Sequence, residues 1–232
     1  MRKNYITLLS AFMLFFVSTT LKAQVARSGF DLGLKGGSYF SVISGSDDNS
    51  QSKIAPIGGI TVSYTFPSSW GIESGLEITK KGSYLEDFRR TTESSYYVDN
   101  NINTTYLQMP IRAAYKAQSG KESNVVFFAG PYFAYGLDGK IKAEIRDPQG
   151  LATRATSQEL LENAGYQNEQ KAFESGTYKR FDYGVSAGIG FEFNKNIDAR
   201  FTCDFGLADI NDGFNGGRRS NQSGSFTIGY HF

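Results

Sequence analysis

Ten charged residues recur at alternate positions of the sequence, and this pattern is the feature most able to support chemistry. They are Asp31, Lys35, Glu73, Glu77, Arg112, Asp182, Glu192, Asp198, Arg200 and Asp204. Alternate side chains of a strand point to opposite faces, so in a closed barrel these ten would converge on one lumen. Such a set suits ion conduction, proton transfer or structural pairing. Because an eight-stranded barrel is only wide enough for its own side chains, we expect a charge network that braces the lumen.

The sequence offers little for catalysis or cofactor binding. Lipid hydrolysis, which some small barrels perform, commonly uses a His base, and the only histidine is His231. With one His and one Cys (Cys203), a His/Cys metal site is implausible. The Gly-containing segment 213–217 lacks the strand-to-helix setting of a phosphate-binding loop. We therefore expect no catalytic residue, no cofactor and no metal.

Eight segments have the character of strands that position these charges. The clearest is Ile197–Leu207, in which every odd residue is apolar and every even one is charged, polar or Gly. The segments cover about residues 29–40, 55–66, 70–84, 103–116, 125–137, 181–193, 197–208 and 222–232. Pro110 and Pro131 fall inside two of them, and we expect a bulge or a strand end at each because a closed barrel has no edge.

The connections between the segments alternate between long and short. Short links occur at 67–69, 117–124 and 194–196, and long ones at 41–54, 85–102, 138–180 and 209–221. Small transmembrane barrels show this asymmetry, with short periplasmic turns and longer outer loops. The sequence therefore predicts an all-β fold, an eight-stranded antiparallel up-and-down transmembrane β-barrel.

Two further observations favour a barrel in lipid over a soluble periplasmic barrel that binds an apolar ligand. The polar face of the strands is rich in Gly and in charges of both signs, as a narrow lumen requires. The apolar face carries aromatic residues at strand ends, as an interfacial girdle requires. Those aromatics are Phe30, Phe66, Trp70, Tyr115, Phe181, Phe193, Tyr230 and Phe232.

The N-terminal residues 1–23 have the pattern of a secretory signal peptide. Arg2 and Lys3 precede an apolar run from Ile6 to Val17, which is too short for a membrane span. Residues 24–232 then form the barrel domain. Removal of the signal would change the formal net charge from +1 to −2, so nothing points to nucleic acid as a partner.

The motifs of these strands resemble the PorT-like outer-membrane β-barrel family of Bacteroidota. The resemblance covers nearly the whole mature chain, and its marks are LGLKGG at 32–37, GIESGL at 71–76, KG at 81–82, YLQMPI at 106–111, AGPY at 129–132, FDYG at 181–184 and GIG at 188–190. It implies an eight-stranded barrel in the outer membrane. The founding member is linked to type IX secretion, which leaves the role of this chain open.

The expected function is that of a non-enzymatic, monomeric envelope protein, structural or interacting, that contacts outer-membrane lipid and acts through its outer loops. Within 138–180, the segment from Thr156 to Glu159 fits a capping box before Leu160 and Leu161, which predicts a short helix. That helix would cover the barrel mouth or bind a protein partner. The alternative from another class is an outer-membrane lipid-modifying enzyme.

Two further expectations concern contacts of the barrel with other molecules. In loop 85–102, the pairs Arg89-Arg90 and Tyr96-Tyr97 are candidates for contact with lipopolysaccharide or a neighbouring protein. The terminal Phe232 resembles the signal by which the barrel-assembly machinery recognises outer-membrane proteins.

Overall fold

The computed structural model describes residues 29–44, 50–90, 95–146, 154–163, 165, 167–174, 176–212 and 217–232. The predicted signal at 1–23 lies outside these ranges. The elements are strands β1 (Gly29–Ser44), β2 (Ser50–Thr65), β3 (Trp70–Arg90), β4 (Ser95–Gln118) and β5 (Asn124–Arg146), helix α1 (Arg154–Asn163), and strands β6 (Glu169–Lys171), β7 (Phe181–Glu192), β8 (Ile197–Gly206) and β9 (Ser220–His231).

Eight of the strands form a closed antiparallel ring. The hydrogen-bonded order is β4-β3-β2-β1-β9-β8-β7-β5, and β4 pairs with β5 to close the ring. The short β6 pairs with β5 beyond the end of β7, with Lys140 opposite Lys171. The predicted fold class is therefore confirmed. We call the end with the turns at 66–69, 119–123 and 193–196 the turn end, and the opposite end the loop end.

The outward face of the ring carries a continuous apolar belt. On β3 the belt runs from Trp70 to Ile78, and on β4 it runs from Leu107 to Tyr115. Nine residues of strand are what a tilted strand needs to cross a bilayer. Aromatic rings pair around the turn end, as in Phe30–Tyr64 and Trp70–Tyr115, whose centroids are 4.8 and 5.2 Å apart. Phe181 belongs to the opposite rim, where its ring lies 6.5 Å from that of Phe133.

Three strands continue well past the belt at the loop end, where the sequence predicts loops. β3 and β4 remain paired as far as Arg90 opposite Ser95, so most of the predicted loop 85–102 is strand. β5 pairs with β4 as far as Arg146. The prediction of loops was wrong here because these residues alternate weakly in polarity, whereas the backbone ladder needs no apolar side chain. The extension is about ten residues per strand, or roughly 30 Å along the strand.

The prediction of a bulge or strand end at each proline was also wrong. Pro110 lies opposite Tyr132 and Pro131 lies opposite Val185, both within regular pairing. The ladder loses local rungs instead, since β3–β4 pairing skips the positions opposite Pro110 without a change of register. A proline lacks the N–H for one rung, and the flanking rungs hold the register. Ser74 Oγ donates to the Pro110 carbonyl at 2.9 Å.

Helix α1 is present within the long connection after β5. Its Leu161 is buried against Tyr96, Val98 and Ala143 of the extended β4–β5 hairpin. The helix therefore covers one face of that hairpin. No helix in the described part of the chain is long and apolar enough to cross a membrane.

Candidate functional site

All ten charged residues predicted for the lumen project into the ring. Nine are mostly buried, and Asp31 lies at the rim of the turn end with 30% of its side chain exposed. The structure gathers them into two groups, one toward the turn end and one toward the loop end. We call the ten residues and the side chains bonded to them the lumen network.

The turn-end group is centred on Arg200. Its guanidinium donates to Glu73, to Asp198 at 2.6 Å, and lies 3.9 Å from Glu192. Lys116, which the sequence prediction missed, pairs with Glu192 at 2.7 Å. A guanidinium suits this position because its five donors form a planar fork. One cation thus joins carboxylates from three strands.

A second cation pair lies beside this group. Lys35 donates to Glu77, and Arg112 Nη1 lies 3.8 Å from the same carboxylate. Arg112 also donates through Nε to Ser186 Oγ at 3.0 Å. The cavity next to these residues has a volume of about 20 Å³, which is room for about one water molecule.

His231 belongs to the turn-end group as well. Its Nε2 lies 2.8 Å from Asp198 Oδ2 and its Nδ1 lies 3.1 Å from Asp31 Oδ1. Both ring nitrogens therefore face carboxylates and not the hydroxyl of a nucleophile. A wider vestibule of about 350 Å³ opens below His231 at the turn end.

The loop-end group contains a fully buried ion pair. Lys81 Nζ donates to Asp182 Oδ2 at 2.9 Å, and neither side chain is exposed. Asn221 donates to the same carboxylate oxygen at 2.9 Å. The ammonium also lies over the rings of Tyr132 and Tyr106, at 4.7 and 5.1 Å from their centroids.

Asp204 is held by neutral donors. Ser186 Oγ donates to it at 2.6 Å and Gln108 Nε2 at 3.0 Å. Tyr39 OH lies 3.4 Å away and also bonds Ser223 at 2.6 Å. The carboxylates of this lumen are therefore each bonded through at least one oxygen, as buried polar groups generally are. Among the described residues, Glu73 Oε1 and Asp182 Oδ1 are buried carboxylate oxygens without a hydrogen-bond partner.

An apolar cap closes the lumen at the loop end. Its buried members are Ile43, Ile102, Ile141, Ala172, Tyr178, Ala208 and Ile210, with Leu85 and Phe173 packed against them. The ring of Phe173 lies directly on Gly136, where any Cβ would overlap it. Tyr178 pairs with Asn211, which ties the two longest loop-end connections together.

Sequence reasoning missed Lys81, Lys116 and His231 as members of the lumen network. Lys81 shares the inward phase of β3 with Glu73 and Glu77, so extending the alternation past residue 80 finds it. Lys116 and His231 lie on the inward phase at strand ends, where the alternation gives way to turns. Of the predicted contact residues in 85–102, Tyr96 is buried under α1, so the expectation that it contacts lipid or a neighbour was wrong. Tyr97 remains outward, with its ring 5.1 Å from that of Phe88.

Charged groups at the loop end form exposed pairs outside the belt. Lys140 donates to Glu169 at 2.8 Å, and this hydrogen bond raises the pKa of Lys140 and lowers that of Glu169. The backbone N–H groups of Arg219 and Asn211 donate to Asp209 and lower the pKa of its carboxyl. Among the described residues, no cluster of three or more His, Cys, Asp and Glu side chains is suited to a metal ion.

Several solved outer-membrane proteins are similar to this chain at low identity. OprG of Pseudomonas aeruginosa is 13% identical, with 89% of this chain and 98% of that chain covered and a TM-score of 0.46. Ail, the attachment invasion locus protein of Yersinia pestis, is 13% identical, with 88% and 99% covered and a TM-score of 0.42. Neisserial surface protein A is 10% identical, with 88% and 97% covered and a TM-score of 0.42. No curated protein sequence matches the chain.

The family assignment comes from a family model and not from these structures. The model of the outer membrane protein beta-barrel domain matches residues 22–212 of the 232. The match includes β1 to β8 and thus most of the ring and the apolar belt. The chain belongs to the outer membrane protein beta-barrel domain family and resides in the outer membrane.

Proposed function

We propose that this protein is a non-enzymatic, non-conducting barrel that acts through its extracellular end as an envelope structural or interaction protein. The observation that carries the proposal is the contrast between the two parts of the molecule. The lumen is filled by mutually bonded side chains and capped by apolar ones, whereas three strands and α1 build a platform beyond the belt. By the usual asymmetry of such barrels, the loop end is extracellular.

The resemblance to the PorT-like family of Bacteroidota supports a link to a secretion apparatus. A closed barrel with an outer platform suits a component that docks a partner better than one that passes solutes. We propose that the barrel is inserted as a monomer by the barrel-assembly machinery. The role of Phe232 as the assembly signal stays a prediction.

The alternative, a lipid-modifying enzyme, has less support in the geometry. The single histidine lies at the turn end and bonds Asp31 and Asp198, so it serves the lumen network. A nucleophile–base pair requires the base within hydrogen-bond reach of a hydroxyl or thiol. The vestibule below His231 is lined mainly by Asn, Lys and acidic residues.

Conductance and crosslinking together test the proposal. In planar lipid bilayers, the full chain should show no stable conductance steps. A photo-crosslinking residue in place of Glu159, exposed on α1, should give a protein adduct in whole cells, whereas one in place of Lys195 at the turn end should not. Stable conductance, or adducts only at position 195, would contradict the proposal. Release of fatty acid by the wild type and not by His231→Ala would instead establish the lipid-modifying enzyme.

A further inference from the structure

A groove of about 680 Å³ lies on the outer surface of β2 to β5, at the level where the apolar belt ends. Its volume is within the range of small-molecule sites. The residues that line it include Lys53, Ile54, Lys80, Asn103, Lys140 and Lys142. Lys81 also lines the groove, but its side chain is fully buried in the lumen on Asp182. The groove itself therefore lies outside the ring, apart from the network and the cap.

The register of the strands places the groove directly above the belt. Ile78 of β3 pairs with Leu107 of β4, and both are exposed apolar residues of the belt. The next outward position on β3 is Lys80. Two residues along a strand span roughly 7 Å, so the first ammonium lies within the headgroup zone that adjoins the acyl chains.

Lys53 is fixed in the floor of the groove. Gly82 has no side chain, and the stem of Lys53 crosses it: a Cβ at Gly82 would lie 3.3 Å from Lys53 Cδ. The ammonium donates to Asn103 Oδ1 at 2.8 Å and to the Ile102 carbonyl at 3.1 Å. It also lies 4.2 Å from the centroid of the Tyr84 ring. These partners hold a positive charge in place without neutralising it.

The other lysines of the groove differ in whether they have an acidic partner. The backbone of Lys80 pairs with Thr105, whereas its ammonium has no ion-pair or hydrogen-bond partner among the residues that the structure describes. Lys140 and Lys142 share Glu169, at 2.8 and 3.5 Å, and all three side chains are about half exposed. Asp138 is the acidic residue in the lining. Four lysines thus face Asp138 and Glu169, and exposed pairs of this kind are weak enough to open for a stronger anion.

We propose that this groove binds the phosphate groups of a phosphorylated glycolipid of the outer leaflet. The acyl chains would lie along the belt beside Ile54 and Ile78, with the phosphates on Lys80, Lys140 and Lys53. The amide of Asn103 and the hydroxyl of Thr105 supply neutral donors for sugar oxygens. Continuity with the belt points to a lipid. Ile54 is 72% exposed and can contact an acyl chain, whereas a free anion would make no apolar contact with it.

Binding of lipid A to the purified full chain in detergent tests this site. Bisphosphorylated lipid A should bind the wild type about fivefold more tightly than Lys80→Gln and about 25-fold more tightly than Lys80→Gln/Lys140→Gln, since one lysine near an anionic surface contributes about that factor. Dephosphorylated lipid A should bind the wild type as weakly as bisphosphorylated lipid A binds the double variant. Lys179→Gln, an exposed lysine at the same end outside the groove, is the matched control and should bind like the wild type.

Several outcomes would overturn the proposal. These are equal binding by the wild type and the double variant, equal loss in Lys179→Gln, or displacement of lipid A by millimolar inorganic phosphate, which would identify a site for free anions. A heat-dependent shift in gel mobility in every variant shows that each is folded. The result is independent of conductance and of crosslinking at position 159, so this site and the proposed function stand or fall separately.

Discussion

At the residue scale, the lumen network shows how a barrel too narrow for a channel satisfies charged side chains. Each carboxylate of the predicted set meets a cation or neutral donors from another strand, as Asp182 meets Lys81 and Asp204 meets Ser186. Removing one member of a buried ion pair leaves an unpaired charge, which costs far more than the pair itself contributes. We therefore expect the buried ion pairs to specify which strands are neighbours more than to increase the free energy of unfolding.

Replacing Lys81 with Met tests this at the most buried pair. We expect the free energy of unfolding to fall by about 3–5 kcal/mol, because Asp182 would be left buried without its cation. Urea unfolding followed by the fluorescence of the single tryptophan, Trp70, measures the change.

Two further variants make that measurement specific. Lys195→Met breaks the exposed pair with Glu122 and should change stability by less than about 1 kcal/mol. Lys81→Met/Asp182→Leu should recover part of the loss, since no charge is then left unpaired. If the double variant is less stable than Lys81→Met, the pairing account is incorrect.

At the scale of elements, the extended β3–β4–β5 sheet is the part of the fold that patterning least revealed. Inside the belt the two faces of a strand meet lipid and lumen, so its sequence alternates sharply. Beyond the belt the outward face meets water. Polar residues such as Asn100 and Asn101 therefore occupy successive positions of β4, and the alternation of polar and apolar residues is lost there. The helix was predicted in the right segment, but it begins at Arg154, so Thr156 lies inside the helix and is not its cap. Its packing partners on the hairpin were not predictable.

Truncation of Leu161 to Ala tests whether α1 is held by packing on the hairpin. Leu161 is 4% exposed, so its loss should destabilise the docked helix by about 2 kcal/mol or more. Hydrogen exchange should then quicken by about 30-fold or more in the amides of α1. Glu162→Ala, at an exposed position of the same helix, should leave exchange unchanged. An equal drop in the stability of the whole barrel would show that α1 is part of the ring's core.

At the scale of the whole molecule, the structure inverts the polarity of a soluble β protein. Large apolar side chains such as Phe201 and Ile228 are about half exposed on the outside, while ion pairs fill the inside. This inversion is stable only in lipid, because so large an exposed apolar surface would drive association in water. The apolar outside and the charged inside of the ring therefore agree with a location in the outer membrane.

The depth of the belt gives a prediction that depends on the membrane alone. Phe201→Arg, near the middle of the belt on β8, should cost about 2–4 kcal/mol in vesicles, whereas Ile197→Arg, at the turn end of the same strand, should cost about 0–1 kcal/mol. Urea titration of folding into phosphatidylcholine vesicles measures both. Equal costs at the two positions would be inconsistent with a belt that spans the bilayer.

The sequence by itself determined the number of ring strands, their antiparallel order and their inward phase, because a strand between two unlike media must alternate in polarity. Only the tertiary structure decided which charges pair, since Lys81 and Asp182 are 101 positions apart and meet through closure of the ring. It also decided how far β3 to β5 extend and that Pro110 and Pro131 are accepted without a bulge. Those features depend on backbone bonding between strands, which leaves no pattern in the order of side chains.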